Sequence, residues 1–310
     1  MFTDRLIDKI IKKQNHSIVG IDPHENIIPK FLWNCYYEDL GKRLESISEI
    51  LFQFSKEIID NIYDIVPAIK PQIAFFERYG SYGLMAFERV CNYAGEKGLI
   101  VIADVKRGDI GSTAEAYSHY YLGEDEDSIS VDAITVNPYL GSDSIEPFVK
   151  DCIDNKKGLF VLVKTSNKSS GEIQNLYCNG KKIYEVAGDL VVNLGNKYIG
   201  DKGYSPIGAV VGATYKEEGD QIRKIMKNCY FLVPGYGAQG AKASDLGGFF
   251  NDDGLGAIIN SSRGIIGAYK LDKYKDLYDE KSFGEAARKA SIDMKNDINS
   301  MLEDCKKIVW

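Results

Sequence analysis

Short apolar runs alternating with longer amphipathic stretches constrain this chain more than any single motif. The runs are Ser17–Pro23, Val66–Gln72, Leu99–Lys106, Ala133–Pro138, Gly158–Ser166, Pro206–Thr214, Tyr230–Gly235 and Gly256–Arg263. Runs this short and this apolar make strands buried on both faces. Between them apolar residues recur at helical spacing, as in Lys42–Asp64 (Leu44, Ile47, Ile50, Leu51, Phe54, Ile58) and Glu77–Lys97, and a terminal helix covers Ser282–Lys307. Strands that alternate with helices build right-handed βαβ units and a parallel sheet. Eight such strands without a linker-like break predict an α/β fold, a (β/α)8 TIM barrel, with residues 1–310 as one domain. An open doubly wound sheet is the alternative. The segment MFTDRLIDKIIKKQNHS reads as an N-terminal amphipathic helix, too charged for a signal peptide. Two extended loops, Asn167–Lys181 after strand five and Tyr236–Asp253 after strand seven, are candidate closing loops.

Charge and cysteine content narrow the partners. With 38 basic and 45 acidic residues the net charge is −7, which argues against a nucleic-acid surface while leaving room for a local phosphate pocket. No apolar run approaches bilayer length, so no membrane partner is expected. The six cysteines are scattered with no Cys-x-x-Cys pair, which points to reduced thiols in a cytoplasmic compartment and to no zinc site. His16, His24 and His119 lack metal-ligand spacing, and no Ser–His–Asp or Cys–His set is present.

Barrel chemistry sits where strands end and the following loops begin. The polar residues at those ends are Asp22, Lys70, Asp104, Lys106, Asp109, Asn137, Lys164–Asn167, Thr214, Gln239 and Ser261–Arg263. The densest group is in LIVIADVKRGDIGST, where Asp104 and Lys106 stand two apart and share a strand face, with Asp109 beyond Gly108. Charges at the mouth of a buried strand are costly unless they pair or meet a ligand. Gly235-Tyr-Gly237-Ala-Gln-Gly240 matches GxGxxG, but the next strand ends in Ser-Ser-Arg, with no acidic residue to hold a ribose. An NADP site is therefore the lesser reading. The better one is a glycine loop that grips a phosphate through its amides and Gln239, with Arg263 supplying charge.

With Asp104-Val-Lys106-Arg-Gly-Asp109-Ile-Gly-Ser-Thr113 on strand three, the chain resembles orotidine 5′-phosphate decarboxylases, in particular the longer subgroup with DxKRGDIGST. The resemblance runs from IVGIDP to SSRGI. It implies that Asp22 and Lys70 bind ribose hydroxyls, that Lys70 also holds Asp104, and that Asp104 sits against the substrate carboxylate. Lys106 would donate a proton to C6, completing a Lys70–Asp104–Lys106–Asp109 network. Asp109 and Thr113 would reach into the partner's site in a homodimer. Ser166, rather than the neighbouring Thr165, would meet the pyrimidine edge, and Gln239 and Arg263 would hold the 5′-phosphate. Ser262 stands where many relatives have glycine.

The implied reaction is decarboxylation of orotidine 5′-phosphate to UMP, the last step of UMP synthesis, with a small nucleotide substrate, no metal and no cofactor. Loss of CO2 from C6 leaves an in-plane carbanion that the ring cannot delocalise, so the protein itself must stabilise the charge. A lysine between aspartates stays protonated and suits that task. Two alternatives remain. One is a magnesium-dependent sugar-phosphate decarboxylase or aldolase of the same superfamily, whose members resemble one another in an acidic residue where this chain has Lys70. The other is a non-catalytic phosphate-ligand sensor.

Overall fold

The computed structural model describes residues 1–214, 216–237 and 240–310. Eight parallel strands close into a barrel: β1 (Ser17–Ile21), β2 (Ala68–Pro71), β3 (Ile100–Arg107), β4 (Ala133–Val136), β5 (Gly158–Lys164), β6 (Ser205–Val211), β7 (Cys229–Pro234) and β8 (Ala257–Ser261). Each strand pairs with the next in sequence, and β8 closes onto β1 with Ser17 opposite Ile259. The expected (β/α)8 barrel is therefore the architecture. Most of the strands stop short of the expected C-terminal bounds, because their last polar residues already belong to the turns over the mouth.

Two cores follow from the alternation of side chains along each strand. Outward residues such as Val19, Ile69, Val101 and Ile259 pack under the helical ring, including Leu44–Ile62, Gly80–Glu96 and Phe283–Asp304. Inward residues Ile18, Ile100, Ile102, Phe160, Tyr230 and Ile258 fill the barrel. The amphipathic N-terminal segment forms a helix, Phe2–Lys13, which inserts Phe2, Leu6, Ile7 and Ile10 into that inner core. Phe2 meets Phe160 edge-on, with ring centroids 6.0 Å apart. One end of the barrel is thereby plugged and the opposite end, where the strands terminate, is left as the mouth. Among the described residues no helix is long and apolar enough to cross a membrane.

The two extended loops are more ordered than their composition suggests. The first contains a short helix, Gly171–Gln174, and a two-stranded hairpin pairing Tyr177–Cys178 with Lys181–Lys182. The second folds back through turns at Ala243–Asp245 and Gly247–Phe249 and buries Leu246, Phe249 and Phe250. Apolar anchors such as Leu246, Phe249 and Phe250 fix the second segment against the core.

Candidate active site

The mouth holds a cavity of about 490 Å3 lined by residues of most of the strands, among them Asp22, Lys70, Asp104, Lys106, Ser166 and Arg263. At its foot lies a buried row of charge. Lys70 Nζ donates to Asp104 Oδ2 at 2.7 Å, and Lys106 Nζ donates to Asp104 Oδ1 at 2.5 Å. Lys70 and Asp104 are 5% and 6% exposed, whereas the Lys106 side chain is 46% exposed and opens to the cavity. Burial alone would drive the Asp104 carboxyl upward, but Lys70 and then Lys106 hold it well below the usual carboxylate range. For Lys70 burial works downward and is overridden by Asp104 and Asp22, so its ammonium is held above its ordinary value. The Asp104 carboxylate and the Lys70 ammonium are thus both ionised throughout the neutral range.

Lys106 reaches Asp104 by a route that strand alternation does not describe. Its φ is +46°, and the β3–β4 register shifts between Ala103 and Arg107, which marks a bulge. Thr135 on β4 fastens that bulge: its Oγ1 accepts the N–H groups of Val105 at 3.1 Å and Lys106 at 3.0 Å, and donates to Asp104 Oδ1 at 2.9 Å. Gln72 Nε2 donates to Asp104 Oδ2 at 2.8 Å. Sequence reading missed Thr135 and Gln72. Their signal was faint: Gln72 lies two beyond Lys70, and Thr135 is a polar interruption in an apolar strand. Asn260, also missed, lines the cavity with a buried Oδ1 that has no partner among the described residues, and the same holds for the Asp22 Oδ1. Unpaired buried acceptors facing a cavity suit donors of a ligand.

Other expected residues distribute unevenly. Ser166 and Thr165 both line the mouth, as do Asn167, Ser261 and Ser262. Arg263 is exposed at the rim, and its side chain makes no ion pair or hydrogen bond among the described residues. Gln239 lies outside the described residues. The glycines beside it, Gly235, Gly237 and Gly240, all take positive φ, between +71° and +113°. That conformation turns the loop sharply. Three strand-end residues are corrected. Asn137 and Thr214 are exposed away from the cavity, and Lys164 points outward, where it is buried and donates to Asn175 Oδ1 at 2.8 Å. Asp109 and Thr113 also stand outside their own chain's mouth: Asp109 accepts the Ile110 N–H at 2.8 Å, and Thr113 lines a separate groove with Tyr117 and Tyr121.

A larger hollow of about 890 Å3 adjoins the mouth beyond Arg263, against the terminal helix. The two share Tyr236, Ser261 and Arg263. Its other charges are already spoken for: Lys273 pairs with Asp293 at 2.7 Å, and Tyr236 bonds Asp297. The smaller cavity carries the reactive row. Far from both, His119 lies 3.1 Å from Asp127 and 3.6 Å from Asp125, an exposed trio that spacing did not reveal.

Residues 18–275 match the model of the family described as orotidine 5′-phosphate decarboxylase / HUMPS. A curated protein of Petrotoga mobilis named orotidine 5′-phosphate decarboxylase is 45% identical over 302 residues, which is 97% of this chain and 99% of the relative. The protein of that name from Caldicellulosiruptor saccharolyticus is 43% identical over 307 residues, again 97% and 99% of the two chains. Among solved structures, OMP decarboxylase of Leishmania donovani superposes with a TM-score of 0.71 at 28% identity, covering 97% of this chain and 98% of that one.

Proposed function

The chain belongs to the orotidine 5′-phosphate decarboxylase / HUMPS family, and from that premise we propose that it decarboxylates orotidine 5′-phosphate to UMP without a metal or cofactor. The observation that carries this reading is the Lys70–Asp104–Lys106 row, with both carboxylate oxygens of Asp104 engaged by ammonium groups. Both lysines line the cavity, but the Lys70 side chain is almost wholly buried whereas that of Lys106 is largely free to enter it. Lys106 is the group that can meet a reacting carbon.

The chemistry follows from where charge develops. The C6–carboxylate bond breaks, CO2 departs, and its electron pair stays on C6 in the plane of the ring. An ammonium fixed at that carbon stabilises the pair and then delivers a proton, forming the C6–H bond. Lys106 is neutral for that moment and regains its proton from solvent. Asp104 holds the ammonium in place and stands against the departing carboxylate. Lys70, locked on Asp104 and attracted to Asp22, presents its remaining donor capacity to ribose hydroxyls, which Asp22 accepts. Arg263 at the opposite rim takes the 5′-phosphate, together with Gln239 and the glycine loop. Binding energy gathered there is available to the transition state. Lys70 also weighs against a magnesium-dependent sugar-phosphate lyase, because a buried ammonium already compensates the carboxylate to which a metal would bind.

We read the working enzyme as a homodimer. Asp109 and Thr113 do not line their own mouth, and exposed Ile110, Tyr139 and Leu140 (55%, 83% and 49%) lie in the loops beside them. A second copy seated there would bring Asp109 and Thr113 to its partner's mouth, with Asp109 completing the network around Lys106. A reducing, cytoplasmic setting suits the six free cysteines.

The test follows loss of orotidine 5′-phosphate absorbance in EDTA with wild type beside Lys106→Ala. Metal-independent turnover that collapses in the variant supports the reading. Binding of UMP without turnover by wild type would replace it with a ligand sensor.

A further inference from the structure

Two hydroxyls, those of Thr165 and Ser166, stand side by side at the end of β5, and both line the mouth. Only one of them is available. Gln174, from the short helix in the loop after β5, grips Thr165 twice: its Oε1 accepts the Thr165 N–H at 3.0 Å, and its Nε2 donates to Thr165 Oγ1 at 2.7 Å. Thr165 Oγ1 in turn donates to Asn167 Oδ1 at 2.6 Å. The donor of that hydroxyl is thus used, and one of its acceptor positions. Ser166 Oγ makes no hydrogen bond among the described residues.

The same loop grips the strand on its other face, where Asn175 Oδ1 accepts from buried Lys164. From the opposite side Gly212, just past β6, receives Ser166. A Cβ at position 212 would lie 2.8 Å from the Ser166 N, closer than real Cβ contacts come. Ser166 is therefore wedged between a glycine and a residue that Gln174 holds in place. A loop composed like a lid works as a brace.

We infer that Gln174 is a positioning residue: by fixing Thr165 it presents the Ser166 hydroxyl to the amide edge of the pyrimidine. The inference rests on the proposed function and deepens it by assigning base recognition to the loop after β5. Gln174 touches no substrate. Its influence passes through Thr165 to Ser166, so it acts on ligands that carry a base and not on the sugar phosphate alone.

The experiment compares wild type, Gln174→Met, Gln174→Glu, Ser166→Ala and the Ser166→Ala/Gln174→Met double variant. It measures binding of UMP and of ribose 5-phosphate, kcat and KM for orotidine 5′-phosphate, and thermal unfolding. Gln174→Met, of similar length without the hydrogen bonds, is expected to weaken UMP about tenfold, the worth of one well-placed hydrogen bond. Ribose 5-phosphate should bind as to wild type. Gln174→Glu, which keeps the acceptor for the Thr165 N–H, should recover part of the loss, and the double variant should bind UMP no more weakly than Ser166→Ala. Equal losses for both ligands, additive effects in the double variant, or unaltered UMP binding by Gln174→Met would each overturn the inference alone. Wild type that fails to bind UMP overturns it together with the proposed function.

Discussion

Lys70 Nζ and Asp104 Oδ2 meet at 2.7 Å across the β2–β3 boundary, both side chains almost wholly buried. A buried pair is weak evidence for stability in itself, which fits the role toward a ligand proposed for these two charges. Removing one partner strands the other. Lys70→Met is expected to destabilise by about 3–5 kcal/mol, and Lys70→Met/Asp104→Leu to recover much of that while remaining inactive. Chemical denaturation of the three proteins beside an activity assay decides it. A single variant as stable as wild type would show that Lys106 alone compensates Asp104.

Thr135 holds the bulge that aims Lys106. Thr135→Val keeps the shape and leaves the N–H groups of Val105 and Lys106 without their acceptor. Each orphaned donor costs about 1–3 kcal/mol, so stability should fall. We expect kcat to fall by more than tenfold with a smaller change in KM, and Thr135→Ser to restore most of it. Steady-state kinetics of the two variants make the comparison, and equal kcat values for Val and wild type would remove the role.

The Arg263 side chain has no partner to lose among the described residues, so its replacement reports on the ligand. Arg263→Ala should weaken UMP by ten- to a hundredfold, about 1.5–3 kcal/mol for hydrogen bonds to a charged group. Uridine, which lacks the phosphate, should bind to both proteins alike. Calorimetric titration with the two ligands gives the contrast. A parallel loss for uridine would place Arg263 against another part of the substrate.

His16 gives the fold an acid limit. Its ring is fully buried against Phe250 and Trp310, its Nδ1 lies 3.2 Å from the Ala257 carbonyl, and its Nε2 has no partner among the described residues. Burial lowers its pKa from 6.5 to about 4. The unfolded chain therefore binds a proton that the folded chain refuses, and stability present above pH 6.5 is lost as the pH falls toward 4. Between pH 7 and pH 5 that loss amounts to about 2 kcal/mol. Urea unfolding at both values should show it in wild type and show less of it in His16→Gln. The same slope in both proteins would assign the acid sensitivity to other groups.

Much of this was legible in the chain. The alternation of apolar runs with amphipathic stretches dictates a βαβ repeat, and eight repeats close a barrel, because strand burial and helix periodicity are properties of nearby residues. Asp104, Lys106, Lys70 and Arg263 were legible too, since charge at the end of an apolar run has few structural uses.

Tertiary structure decided how those residues are held and which strand ends converge. Thr135 and Gln72 come from other strands, and nothing local announces that a threonine on β4 will fasten a bulge on β3. Lys164 and Asn137 lie at strand ends as Asp104 and Lys106 do, yet face elsewhere: alternation would put Lys164 on the inner face with Phe160 and Leu162, and the register shift between Leu162 and Lys164 turns it outward. Gln174 is one polar residue in a loop full of them until the fold places it on Thr165. Sequence wrote the charges into the mouth; only the closure of the barrel, which brings distant strands within hydrogen-bond reach, fixed their geometry.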